Sequence, residues 1–337
     1  MADLTALLAP CSVAVIGASE DVTTIRGMFM KTILRHGFKG PVHAISRSSA
    51  EVFGHKTYDH ISKAPGPIDL AVLIAPAEAC PSVLEDCAKA GVRAAIVIAS
   101  GFAEEGSDQG RALQAEMQRI AAANNIALCG PNSQGFVDTR SGLAATFSPV
   151  AQGLDPVLPR PAPPGRGLAI ITQSGALGFG LFDAALANAI PVDRVITTGN
   201  EAGLTLADYL NHLIVEDRAD GYLLFLEEVR DGPRFIRFAE RALAGGKPVV
   251  VLRAGRSAAG RRAAASHTGA LARQSAPKKP WPWPAPWSPV RAKPKPDIVS
   301  GSVRPRAAAP GWSPTCARRP ALPFQLSTTP PAPSSTR

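Results

Sequence analysis

Short runs of apolar and β-branched residues recur along this chain, separated by longer amphipathic segments. That alternation constrains the fold more than any other feature. SVAVIG (12–17), PVHAIS (41–46), DLAVLIAP (69–76), RAAIVIAS (93–100) and IALCGPN (126–132) read as strands. TIRGMFMKTILRHG (24–37), residues 78–90 and residues 107–124 carry helical periodicity between them. A strand that is apolar on both faces must be covered on both faces, as in a parallel sheet wrapped by crossover helices. Residues 151–166, AQGLDPVLPRPAPPGR, form a Pro/Gly-rich linker, after which the alternation restarts. GLAIIT (167–172), DRVITT (193–198), DGYLLFL (220–226) and KPVVVLR (247–253) are the strands of this second series. Its helices fall over 176–189, 203–216 and 232–245. The pattern predicts tandem doubly wound parallel-sheet α/β domains, at 1–150 and 167–272, the second stopping after four strands.

The formal net charge of +9 suggests a polyanionic partner until it is located. Residues 273–337 hold 11 Lys/Arg against the single acid Asp297, so the preceding body is close to neutral. The basic excess is therefore no argument that the body binds nucleic acid. The same tail carries 16 of the 32 prolines and all four tryptophans. It has no apolar period and is expected to be disordered. The five cysteines are scattered without a CxxC or metal spacing, so buried free thiols in a reducing compartment are expected and no metal site is. MADLTALLAP lacks the basic start of a secretory signal, and no stretch of 18 apolar residues occurs. A cytoplasmic protein without membrane attachment is the expectation.

In doubly wound sheets, ligands lie beyond the carboxyl ends of the strands. Gly17-Ala18-Ser19 follows the first strand, and its backbone amides are candidates for facing a phosphate. G-x-G-x-x-G is absent, which counts against a nicotinamide or flavin dinucleotide. Ala75-Pro76, Ser100-Gly101-Phe102 and Gly130-Pro131-Asn132 end three further strands, and together these turns outline a crevice for a nucleotide-like ligand or are ordinary loops. Gln173-Ser174-Gly175 opens a helix whose unpaired amides suit an anion, with plain N-capping by Ser174 as the alternative. His267, in SHTGALA, is flanked by small and polar residues rather than set in an apolar pattern. The small, basic AGRSAAGRRAAA before it suits a loop that moves near phosphates. His36, His43, His55, His60 and His212 read as surface or structural residues without partners.

VAVIGAS, GPIDLAVLIAPA, IVIASGFAE, GPNSQG, ITQSGALG, TTGNEAGL, FLEEVRDG and SHTGALA occur in the order seen in NDP-forming acyl-CoA synthetases. Over roughly residues 8–272 the chain resembles this family, the ADP-forming acetyl-CoA synthetase group related to the succinyl-CoA synthetase alpha subunit. The resemblance implies a Rossmann-like CoA-binding domain followed by a flavodoxin-like ligase domain. It implies the reaction acyl-CoA + ADP + phosphate ⇌ acid + CoA + ATP, through an acyl phosphate and a phosphohistidine. Gly17, Ala18, Ser19, Ala75, Pro76, Ser100, Gly101 and Asn132 would line the CoA site. His267 would carry the phosphoryl group and Glu227 would contact it. Gln173, Ser174, Gly175, Gly199 and Asn200 would hold the phosphate during attack. The implied partners are CoA, a small carboxylic acid and, for ADP/ATP with Mg, an ATP-grasp module. Many members have cysteine in GPNC, where Ser133 stands here. The alternatives are a non-catalytic CoA-binding module, a fragment of an acetyltransferase fusion, and, least, an NAD-dependent oxidoreductase.

The family pattern breaks off inside the SHTGALA motif rather than at a domain edge. Ala, Pro, Arg, Ser, Gly and Trp are what GC-rich codons give when read out of frame, so a shifted frame after residue 272 is expected and inactivity of the isolated chain with it. The competing reading is a genuine polyproline or basic interaction arm. Translating the DNA downstream of Ala272 in the other two frames should restore a GSDA-like continuation and an ATP-grasp region; a family pattern in neither frame would make the tail genuine.

Overall fold

The computed structural model describes residues 4–154 and 167–254. Most of the linker, the tail and His267 lie outside the described residues. The first sheet has the order β3-β4-β2-β1-β5-β6-β7. These strands are β1 Val13–Ile16, β2 Val42–Ile45, β3 Glu51–Val52, β4 His55–Tyr58, β5 Leu70–Leu73, β6 Ala94–Val97 and β7 Ala127–Cys129. All pairs are parallel except β3–β4, a hairpin whose turn residues Phe53 and Gly54 both have positive φ. The two-residue side-chain period divides the sheet between two cores. Val13, Val15, Leu70 and Val72 pack on one face with α1 (Thr5–Leu8) and α2 (Ile25–Arg35). Ala14, Ala71, Leu73 and Val97 pack on the other with α3 (Cys80–Lys89) and α4 (Asp108–Ala123). Cys80, Cys87 and Cys129 are buried free thiols, and burial pushes Cys80 and Cys87 up to about 12.

The second sheet has the order β13-β12-β10-β11-β8-β9. Its parallel part, β10 Leu168–Thr172, β11 Val192–Thr197, β12 Gly221–Leu226 and β13 Val249–Arg253, is the four-strand series read from the sequence. Helices α6 (Gly175–Ala187), α7 (Leu206–Glu216) and α8 (Gly232–Ala244) connect these strands. The hairpin of β8 (Gly135–Asp138) and β9 (Leu143–Thr146) was unforeseen. Sequence grouped residues up to 150 with the first sheet, whereas this hairpin pairs antiparallel with β11 of the second. The chain thus enters the second sheet before the linker, and α5 (Pro149–Gly153) follows the hairpin. The core that holds β1 and β5 continues through Ile171, Ile196, Leu210 and Leu224 of the second sheet.

A buried charge cluster holds the hairpin in place. Arg194 is fully buried in β11; its guanidinium lies 2.9 Å from Asp138 and 3.1 Å from Glu216. Arg218 reaches Asp138 and Asp193 at 3.0 Å each, and Arg140 reaches Asp193 at 2.8 Å. Asp138 also accepts from the amides of Arg140 and Ser141. Burial by itself would raise the Asp138 carboxyl, but Arg194 and Arg218 hold it below its ordinary value. A carboxyl depressed in the folded state contributes stability above its unfolded pKa, and that contribution is lost as pH falls through the folded value. Asp138→Asn should destabilise by about 3–5 kcal/mol at neutral pH, since it leaves the buried guanidinium of Arg194 and the half-buried one of Arg218 short of a partner. Urea unfolding at pH 7 and below about pH 4 should show the wild-type advantage shrinking in acid.

Candidate functional site

Each sheet has a point where the strand order reverses, and a cleft opens at both. In the first sheet the chain moves from β1 to β2 on one side and returns to β5 on the other. The connections leaving β1 and β5 therefore run to opposite sides beyond Gly17 and Ala75-Pro76, where a cavity of about 410 Å³ opens. Gly17 has φ +91°, and a Cβ there would lie 2.3 Å from the carbonyl oxygen of Ile74. Only glycine lets the two strand ends run this close.

The chemistry of this cleft differs from the phosphate-binding turn expected from sequence. The amides of Gly17 and Ala18 both donate to the Ile45 carbonyl, at 2.9 and 3.1 Å. Ala18 is buried, and the Ser19 hydroxyl accepts from the Asp21 amide at 3.1 Å. Helix α2 starts only at Ile25, capped by Thr24, so its N-terminus does not follow the glycine directly. The cationic groups lining the cavity are Arg26 and Arg47, with Arg26 Nε donating 2.7 Å to the Gly17 carbonyl. Sequence reading missed both arginines. Arg26 sits inside a helix read for its apolar period; Arg47 lies two residues past the carboxyl end of β2, which was the available signal. His60 and Asp86 also line the cleft and are hydrogen-bonded at 3.0 Å. His60 is therefore not without partners, and neither are His212 and His36, the latter with its Nε2 2.8 Å from the Ala151 carbonyl.

Five expected CoA-site residues are absent from the lining of this cleft: Ala18, Ser19, Ser100, Gly101 and Asn132. Gly101 donates its amide to Glu104 at 2.8 Å, and Ser100 lies beside it in the same turn. Asn132 lines the other cavity.

The second cleft, about 310 Å³, lies where β10 and β12 diverge. It gathers Gln173, Ser174, Gly175, Gly199, Asn200, Asn132 and Glu227, and also Glu104, Gln114, Gln134, Glu228 and Arg230, which sequence reading did not single out. The Gln173 carboxamide is spent on the loop after β12. Its oxygen accepts from the amides of Glu227 and Glu228 at 2.7 and 2.9 Å, and its nitrogen donates to the Glu228 carbonyl at 2.8 Å. Gln173 therefore positions the Glu227 backbone. Ser174 is the N-cap of α6 without a side-chain capping bond, so the hydroxyl and the first amides of a 13-residue helix face the cleft region unshared with each other.

Asn200 is likewise committed. It donates to Gln114 at 3.0 Å and to Glu104, and accepts from Asn132 at 3.4 Å. It ties the two sheets together rather than presenting a free amide. Gly199, at φ +62°, brings its backbone so close to the 131–132 turn that a Cβ would meet the Pro131 carbonyl oxygen at 2.2 Å. Among the described residues Arg230 is the only basic side chain lining the cavity, and it lies 3.6 Å from Glu228. Behind it, Glu201 accepts from Thr198 and from the Leu206 amide, and burial pushes its carboxyl up. An anion would find the helix amides, the Ser174 hydroxyl, the Gln134 carboxamide and Arg230 here.

Residues 11–139 match the family described as CoA binding domain, and residues 164–277 match the succinyl-CoA ligase like flavodoxin domain. The chain is 36% identical over 267 residues to acetate–CoA ligase [ADP-forming] I of Archaeoglobus fulgidus, covering 79% of this chain and 37% of that protein. It is 36% identical over 273 residues to the alpha subunit of acetate–CoA ligase [ADP-forming] I of Pyrococcus furiosus, covering 80% and 56%. The solved dinucleotide-forming acetyl-coenzyme A synthetase 1 of Ca. Korarchaeum cryptofilum, in complex with phosphate and ADP, superposes with a TM-score of 0.71 at 35% identity, over 80% of this chain and 55% of that one. The chain thus spans between about a third and just over half the length of these relatives. With both domains present in this order and folded as in the solved relative, the chain belongs to the NDP-forming acyl-CoA synthetases, the family of the ADP-forming acetate–CoA ligases.

Proposed function

We propose that this chain binds CoA in the first cleft and carries the phosphoryl group of an acid–CoA ligase reaction at the second. The observation that carries the reading is that both clefts open at switch points, one lined by two arginines and the other by a free helix start beside Glu227. The apolar side chains of Ile16, Ile45, Ile74 and Val83 beside Arg26 and Arg47 suit a phosphorylated nucleotide end. In this reading Arg26 and Arg47 take the phosphates that the committed Gly17 and Ala18 amides cannot. Gly17, Ala75 and Pro76 shape the cleft.

At the second cleft, the amides of Gly175 and Ala176 and the Ser174 hydroxyl receive the phosphate, and Gln173 holds the loop that presents Glu227. Phosphate displaces CoA from the acyl-CoA thioester to give an acyl phosphate, which transfers its phosphoryl group to the His267 imidazole and releases the acid. The phosphohistidine then transfers it to ADP. A neutral imidazole is a competent acceptor, and a carboxylate on its other nitrogen sets the tautomer. The remaining work is positioning and charge stabilisation. An ATP-grasp module supplies the ADP/ATP site and its Mg, in keeping with the alpha-subunit character of one relative. The acid is a small carboxylate whose identity depends on a few pocket residues.

Two measurements test the two halves separately. Titration calorimetry should find CoA binding that Arg26→Ala and Arg47→Ala each weaken about tenfold or more, as loss of a charge-assisted contact does. Binding unchanged in both variants would overturn the placement of CoA. Incubation with radiolabelled acetyl phosphate should leave an acid-labile, base-stable label on the wild type. His267→Asn should abolish that label, and Glu227→Gln should slow it by about 10²-fold or more. Labelling that persists in His267→Asn would overturn the phosphohistidine assignment.

A further inference from the structure

His60 sits at one end of the first cleft in an arrangement with more order than a surface histidine requires. It caps the 3₁₀ turn Ile61–Lys63, its Nδ1 accepting from the Ser62 amide at 3.3 Å. The neutral ring therefore carries its proton on Nε2, which donates to Asp86 of α3 at 3.0 Å. The ring bridges the segment after β4 to helix α3, and both His60 and Asp86 line the cavity together with Asp59, Ile61, Ala79 and Val83.

We propose that His60 is a positioning residue for the phosphorylated end of CoA, acting by masking the Asp86 carboxylate from the ligand. This rests on the reading of the first cleft as the CoA site. The cleft is otherwise built for an anion, and Asp86 is the element that opposes it. Asp59, the other acid in the lining, is already neutralised by Lys63 at 2.7 Å. Asp86 has Lys89 at 3.4 Å on its Oδ1, leaving Oδ2 to His60. Hydrogen bonding from His60 is the chief cause holding the Asp86 carboxyl below its ordinary value. The charged groups around the imidazole are thus Asp86 and Lys89 from α3, Asp59 and Lys63 from its own segment, and Arg26 and Arg47 across the cavity. The cleft ends of β1, β2 and β5 add Ile16, Gly17, Ile45, Ser46, Ile74, Ala75 and Pro76, none of which titrates.

His60→Ala leaves Asp86 Oδ2 open to the ligand, whereas His60→Gln keeps a donor toward it. Asp86→Asn keeps an acceptor for Nε2 and removes the charge that needs masking.

The test is calorimetric titration of CoA into the wild type, H60A, H60Q and D86N at pH 8, with thermal melting as a check on folding. H60A should weaken binding by about threefold or more, the effect of one charge at cleft distance in a largely aqueous medium, and H60Q, which keeps the donor, should bind as the wild type does. D86N should bind about threefold tighter than wild type. Should H60A fail to fold, the D86N comparison decides alone. H60A binding as tightly as wild type, or D86N binding no tighter, would overturn the proposal while leaving the CoA reading intact. Absence of CoA binding by the wild type would overturn both.

Discussion

The backbone seam between the two sheets is the interaction on which both clefts depend. The segment after β11 runs along the open edge of β7, with the amides of Asn200, Ala202 and Leu204 donating 2.9 Å bonds to the carbonyls of Pro131, Gly130 and Leu128. A buried knot lies beside it. The Ser133 hydroxyl donates 2.6 Å to the Thr197 carbonyl and accepts from the Gly135 amide, while the Thr197 hydroxyl donates to the Gly135 carbonyl and accepts from the Gln134 amide. An exposed edge strand and a buried crossover would each leave polar backbone unpaired, and here each satisfies the other. Serine at position 133 suits this knot, because its short hydroxyl donates and accepts at normal oxygen distances.

That seam explains why the two sheets act as one body rather than as beads on a linker. The core behind β1 and β5 extends without interruption to α7 and β12, and the β8–β9 hairpin belongs by sequence to one side and by pairing to the other. The network of Asn132, Asn200, Glu104 and Gln114 is the polar surface of the same junction. It forms one wall of the second cleft, so the turn after β6 takes part in a site that its sequence position assigns to the first sheet.

Most of the strand series was legible because a doubly wound sheet needs apolar runs of fixed length between helices, and every one of those nine runs contains a strand. The hairpins were not. Glu51–Tyr58 is half polar and short, and Gly135–Thr146 carries Asp138, Arg140 and a serine where a strand pattern should be apolar. Asp138 is buried because Arg194, more than fifty residues away, is buried with it, and no local pattern announces that pairing. The site divided in the same way. Glycine turns and the helix opening marked where ligands could lie, and Gly17, Ala75, Pro76, Gln173, Ser174, Gly175, Gly199, Asn200 and Glu227 all line one cleft or the other. Their individual duties were not legible, since a carboxamide or a backbone amide is free or spent only according to what stands opposite.

The amino-acid sequence alone determined the two α/β series, the turns at the strand ends and the family, because periodicity and ordered motifs are local properties of a chain. Tertiary structure alone decided that Gly17 and Ala18 spend their amides on Ile45, that Gln173 and Asn200 hold loops, and that Arg26, Arg47 and His60 share a cleft with Asp86. The reason is that a hydrogen bond or a charge pair is a relation between groups distant in the chain, and its partner is chosen only when the sheets are assembled.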